Sequence, residues 1–127
     1  MSLDATIDKI RVHVAGLTGL ARVYSDPPDS MQEFPCAIVI ANRGAYELSA
    51  AGGRAFHVIV VEIHSARQVL PQAVDEAKVW PDRMYTKLAA ATDLDINGQI
   101  TYRAGGIQYG NDVHYAVRFE VPCKVNL

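Results

Sequence analysis

The hydrophobic pattern divides the chain into recognisable elements. Leu3, Ile7, Ile10, Val14 and Leu17 recur at alternating steps of four and three. That spacing lays them along one stripe of a helix over residues 3–19. Asp4 and Asp8 sit near its start, where the helix dipole favours negative charge, and Gly16 and Gly19 bracket its end. The stripe needs a cover, most simply one face of a sheet. Val23-Tyr24 reads as a short extended piece. Asp26-Pro27-Pro28-Asp29 after it forbids a helix and predicts a surface loop.

Two strands follow. Cys36 to Asn42 is an apolar run entered from Pro35, and Tyr46-Glu47-Leu48 extends it or opens the next piece. Residues 55–65 form a second strand, and the pair predicts a hairpin with a long tip from Ser49 to Arg54. In the second strand Phe56, Val58 and Val60 face one way, while Ile59, Val61 and Ile63 face the other. A sheet with helices on one side leaves its other side polar. Either another layer of this chain or another subunit must therefore cover the second apolar face.

Residues 68–91 are helical in pattern, with Leu70, Val74, Ala77, Met84, Leu88 and Ala91 on the apolar side. Pro71 fits a first turn, and Pro81 predicts a break at Val79-Trp80. Trp80, the single tryptophan, reads as a core anchor. Asn97-Gly98 marks a turn, Gln99 to Ala104 a strand, and Gly105-Gly106 and Gly110-Asn111-Asp112 flexible points. In the last strand Val113, Tyr115, Val117, Phe119, Val121 and Cys123 share one face; His114, Ala116, Arg118 and Glu120 take the other. Pro122 places that strand's far end at an edge or a bulge. The expectation is a single α+β domain over residues 1–127. Its mainly antiparallel sheet has about four to six strands, with an N-terminal helix and a broken central helix packed on one face.

Composition adds exclusions. The chain is 127 residues long, half hydrophobic and one-fifth charged, so it can bury a core without staples. Twelve basic against fourteen acidic residues give a net charge of −2, which argues against sequence-specific nucleic-acid binding through phosphate neutralisation. No apolar run approaches the roughly 18 residues of a membrane span. The acidic, amphipathic start reads as helix rather than secretory leader.

Candidate chemistry is sparse. Cys36 and Cys123 each follow a proline and lack zinc-site neighbours; they read as free buried thiols, with a disulfide open only if their strands are adjacent. His57 and His64 fall on opposite faces of their strand, whereas Glu62 and His64 share one. That pair could orient a base or hold a metal with a third ligand, or form a plain polar patch. No nucleophile elbow, phosphate loop or dinucleotide fingerprint is present. The arginines are spread out and read as surface or ion-pair residues. No catalytic residue, metal ligand or cofactor is expected.

Three stretches carry a resemblance. Val23-Tyr24-x-Asp26-Pro27-Pro28 with Phe34-Pro35-Cys36-Ala37-Ile38-Val39 is a proline-bounded entry into a first main strand. Leu88-Ala89-Ala90-Ala91 with Leu94, Asn97-Gly98 and Ile100 is a helix end and turn. Ile107-x-Tyr109-Gly110 and Tyr115-Ala116-Val117-Arg118-Phe119-Glu120-Val121 are closing strands. Over nearly its whole length the chain resembles the tail-terminator or tail-completion proteins of long-tailed bacteriophages. The resemblance implies a structural virion protein, in the tail or neck, that forms a hexameric ring. It would stop growth of the tail tube and join tail to head, with the tube protein and the head–tail connector as partners. A ring needs a heterologous interface that closes. Ile59, Val61 and Ile63, the loop tips at 26–33 and 49–54, and Arg54 and Arg67 are the expected subunit contacts. A head–tail connector is a related reading. A small enzyme or ligand-binding domain is a different one, with His57, Glu62, His64 or Tyr102 as polar contacts.

Overall fold

The computed structural model describes residues 2–49, 51–65 and 70–127. In chain order the elements are α1 (Leu3–Ala15), β1 (Arg22–Tyr24), β2 (Cys36–Ser49), β3 (Gly52–His64), α2 (Leu70–Ala77), α3 (Trp80–Ala89), β4 (Thr101–Tyr109) and β5 (Asp112–Asn126). The strands make one mixed five-stranded sheet in the order β1-β2-β3-β5-β4, so the fold is α+β. All neighbours are antiparallel except β1, which runs parallel to β2 with Tyr24 opposite Ile38. That parallel pair is possible because the 25–35 loop carries the chain back before β2 begins.

Ser2 caps α1, its hydroxyl accepting from the Ala5 amide at 3.1 Å. The helix stops at Ala15, short of the expected residue 19, because Gly16 caps it; Leu17 stays buried in the turn beyond. Ile10 and Val14 are fully buried, with Leu3 and Ile7 packed beside them. The central helix breaks where Pro81 demands it, α3 beginning at Trp80 with the proline in its first turn. In α2 the buried positions are Ala73 and Ala77, while Leu70 is exposed. Small residues let this short helix sit close to the sheet.

The core lies between the helices and one sheet face. Ile59, Val61 and Ile63 of β3 meet Val117, Phe119 and Val121 of β5 beneath Ile10, Val14, Trp80, Met84 and Leu88. Trp80 is the core anchor expected of it. The subunit interface expected at Ile59, Val61 and Ile63 is corrected by this packing, since the chain's own helices occupy that face and leave all three fully buried.

The opposite face is covered in part, also from within the chain. The 25–35 loop folds over its lower end, where Tyr24, Met31, Cys36 and Ile38 form a second small cluster with Phe34 and Tyr109. The double coverage expected of β3 is met there by a loop. Cys36 lies on this face and Cys123 on the helix face, so the two thiols are free and their strands are not adjacent. Burial, with Glu33 nearby, pushes the Cys36 thiol up to about 12; burial, with Asp95, pushes Cys123 up to about 11.

The hairpin tip differs from expectation. The β2–β3 ladder continues to Ser49 opposite Gly52, so the hairpin tip is tight rather than long; Ala50 lies outside the described residues. Gly52 takes a φ of +112° there, a conformation that disfavours any side chain. Gly105 and Gly106 do not interrupt β4, which pairs with β5 along its whole length. Pro122 sits inside β5 but beyond the β4 ladder, which starts with Thr101 opposite Glu120, so it has the edge position expected of it. The Pro122 carbonyl accepts from Asn97, so its missing N–H faces the irregular 95–100 segment and no ladder bond is lost. Among the described residues no helix is long and apolar enough to cross a membrane.

Trp80→Ala empties the centre of the core and is expected to cost about 3–5 kcal/mol in urea unfolding. Both thiols are expected to resist a thiol reagent near neutral pH in the folded protein and to react fully once it is unfolded.

Candidate functional site

Two places in the fold carry side chains that the core does not require. The first is a polar cluster under the 25–35 loop. Period-two alternation puts Glu62 and His64 on the same face of β3, and register sets Arg118 of β5 directly opposite Glu62. His114 stands two steps along β5 on that face, past Ala116, which lies opposite His64. The Glu62 carboxylate takes the His64 Nε2 at 3.0 Å on one oxygen and accepts from Arg118 Nη1 at 2.9 Å on the other. His64 Nδ1 lies 3.1 Å from His114 Nδ1. The Tyr109 ring stacks on His114, and Phe34 meets the His114 ring edge-on at 5.1 Å. The Tyr109 hydroxyl donates to the Pro28 carbonyl and so ties the loop to β4.

His64 has no exposed surface and Glu62 only 5%. Burial pushes the Glu62 carboxyl up, but the hydrogen bond and charge of His64 and the Arg118 guanidinium outweigh it and hold it below the usual carboxylate range. Burial, then Asp29, Cys36, Tyr24 and Glu62, raises the Tyr109 phenol.

The expected Glu62–His64 pair is therefore present, and the third group it meets is another histidine. Among the described residues no set of three or more His, Cys, Asp or Glu side chains is arranged to hold a metal. The four expected polar contacts do not converge. His57 is buried on the helix face, where its ring meets Tyr46 at 5.8 Å, and Tyr102 lies on that same side against Phe119. Tyr102 borders a cleft of about 250 Å³ with Pro81, Met84, Tyr85, Ile100 and Phe119, whose lining is mostly apolar. Nothing in the local pattern brings His114 and Arg118 to Glu62. Their shared face was visible in the alternation of β5, but the register that sets them beside β3 was not.

The second place is the outer half of the β2–β3 hairpin. Residues 41–49 are all exposed. A bulge between Ala41 and Arg43 shifts the register as the hairpin leaves the core. Beyond it Tyr46 and Leu48 fall on the helix side of the sheet, 65% and 80% exposed. Leu127 joins them, its amide bonded to the Gly53 carbonyl. The other side is charged: Arg54 donates to Glu47 at 2.9 Å, and Arg43 to Glu120 at 2.8 Å. The C-terminal end of β5 pairs with β3 as far as Arg54, so this extension is three strands wide for most of its length. Arg54 is thus an exposed ion-paired residue of the hairpin, whereas Arg67 lies outside the described residues.

Neither a family model nor a curated protein matches the sequence.

Glu62→Ala leaves Arg118 and His64 without their shared acceptor and is expected to cost about 2–4 kcal/mol in urea unfolding. A lowered native carboxyl adds stability above the unfolded value of about 4.5, and that stability is lost as pH falls through the native value. Glu62→Gln is therefore expected to flatten the fall in stability between about pH 5 and pH 3.

Proposed function

We propose that this chain is a structural subunit of the tail-terminator type. Copies associate head to tail into a closed ring of six that caps a tail tube and joins it to the head.

 The observation that carries this reading is the hairpin. It is a stiff, three-stranded extension with apolar Tyr46, Leu48 and Leu127 on one side and Arg43, Glu47 and Arg54 on the other. An isolated chain gains nothing from holding such a surface in water, whereas a neighbouring copy or a tube subunit would bury it. The resemblance of the proline-bounded β2 entry, the α3 end and the closing strands supports the same reading.

Subunit contact moves, on this proposal, from the buried face of β3 to the outer hairpin. The expected contact at the 49–54 tip and Arg54 is kept. The 26–33 loop serves mainly as an intramolecular cover, since Met31 is buried and Pro28 is bonded to Tyr109. A closed ring also needs a second, different surface to receive the hairpin. The β4 edge offers unpaired backbone groups, and the Tyr85–Tyr102 cleft beside it offers apolar area. The proposed partners are further copies of the chain, a tail-tube protein and a head–tail connector, and the proposed place is the virion. The proposal assigns the chain no catalytic residue and no cofactor.

Light scattering after size exclusion tests the ring. A hexamer of the 13.9 kDa chain weighs about 83 kDa. The expected result is that mass, alone or on addition of tube protein, with Leu48→Asp reducing it to the monomer while circular dichroism stays unchanged. A mass that stays monomeric with and without tube protein, or a ring indifferent to Leu48→Asp and Tyr46→Asp, would overturn the proposal.

A further inference from the structure

We infer that copies of this chain join edge to edge, the outer part of β2 in one copy pairing antiparallel with β4 of the next, a junction that rests on the ring reading above and gives it a register. Among the described residues β4 pairs with β5 alone, and β2 beyond Ile38 pairs with β3 alone. Both strands therefore present a row of unpaired backbone N–H and C=O groups. Edges that stay free are normally guarded by charges, prolines or bulges. β4 carries a single charge and no proline, and β2 is regular from its bulge at Ala41–Arg43 to Ser49.

Direction and face both fit. β2 and β5 run one way, β3 and β4 the other. A second copy set beside β4 with its helices on the same side therefore offers β2 in the antiparallel sense. Such a contact joins two different surfaces, as a closed ring needs. Setting Glu47 opposite Arg103 fixes one register, with Arg43 to Ser49 against Ile107 to Thr101. Tyr46 then meets Ala104 and Leu48 meets Tyr102 on the helix side, where Leu48, Tyr46 and Tyr102 all stand exposed in the single chain. The cleft lined by Tyr85, Ile100 and Tyr102 lies beside that contact and receives Leu48. A slip of one residue would instead turn Tyr46 and Leu48 toward Arg103 and Thr101 on the outer face.

Charge selects both the occupant and the register. Arg103 stands directly opposite Arg118 of β5, and like charges so placed destabilise a strand pair. Glu62 answers Arg118 at 2.9 Å, whereas Arg103 has no hydrogen bond or ion pair among the described residues. On the hairpin, Glu47 takes both Arg54 bonds on Oε1, at 3.2 and 2.9 Å, which leaves Oε2 open. Glu47 of one copy thus supplies the acceptor that Arg103 of the next lacks in its own chain. A two-fold pairing of β4 with β4 would bring together strands that hold no acidic residue.

Cysteine trapping on the full chain tests the junction, since Glu47 and Arg103 are exposed and both native thiols are buried. Glu47→Cys and Arg103→Cys are mixed in equal amounts under a copper–phenanthroline oxidant and run on a non-reducing gel. The expected result is a linked dimer in the mixture and none in either variant alone, because directly opposed strand residues lie within disulfide reach. Asp8→Cys, exposed on α1, mixed with Glu47→Cys reports random collision and is expected to stay monomeric. Without any added cysteine, Glu47→Arg and Arg103→Glu are each expected to raise the concentration for half-association about tenfold, and the two together to restore it. Linkage within one variant alone, a mixture no better linked than the Asp8→Cys control, or a double charge variant no better than the single ones would overturn the junction. Light scattering separates its failure from that of the ring. A mass near 83 kDa without the linkage keeps the ring and removes the junction; linkage in a chain that never reaches that mass keeps the junction and removes the ring of six.

Discussion

The structure depends on covering β3 from both sides. It is the middle strand of five, and from Ala55 onward nearly every residue is buried, whichever way it points. On one side Ile59, Val61 and Ile63 are met by α1 and α3, an ordinary helix-on-sheet core. On the other side the cover is a loop, which presents fewer apolar groups than a helix would. The strand accordingly changes character there, from Val60 to Glu62 and His64, and its polar groups are satisfied by neighbours rather than by water.

That arrangement links the small polar cluster to the odd parallel strand. For the loop to cross the face, β1 must be anchored beside β2 before the chain turns back, and only three residues do this. The anchor is strengthened by the Tyr24 hydroxyl, which accepts from the Gln32 and Glu33 amides, and by Tyr109 from the far edge of the sheet. Opposite edges of the sheet are thus tied through one loop. The buried ion pair of Glu62 and Arg118 is weak evidence for stability in itself, because desolvation offsets much of its attraction. Its clearer effect is to fix the orientation of His64, and through it the contact with His114.

The outer hairpin follows the opposite logic. Past the bulge at Ala41–Arg43, β2 leaves the helices behind, and the same alternation that buries side chains near Ile59 exposes Tyr46 and Leu48. The fold therefore separates into a closed body, where Glu62 and His64 are paired internally, and a projecting arm, where Tyr46 and Leu48 stand largely in solvent.

Local pattern was enough to determine the helix stripe of Ile7, Ile10 and Val14, the break at Pro81, the alternation of β5 and the shared face of Glu62 and His64. Each depends on side-chain direction within one element, which a period of 3.6 or 2 sets by itself. Tertiary structure alone decided which strands are neighbours. That choice brought His114 and Arg118 to Glu62, separated Cys36 from Cys123, turned the 25–35 connector into a cover, and enclosed Ile59, Val61 and Ile63 within the chain. Contacts between residues some fifty positions apart depend on register and on the path of the connecting loops, and neither is encoded in the spacing of residues along a single strand.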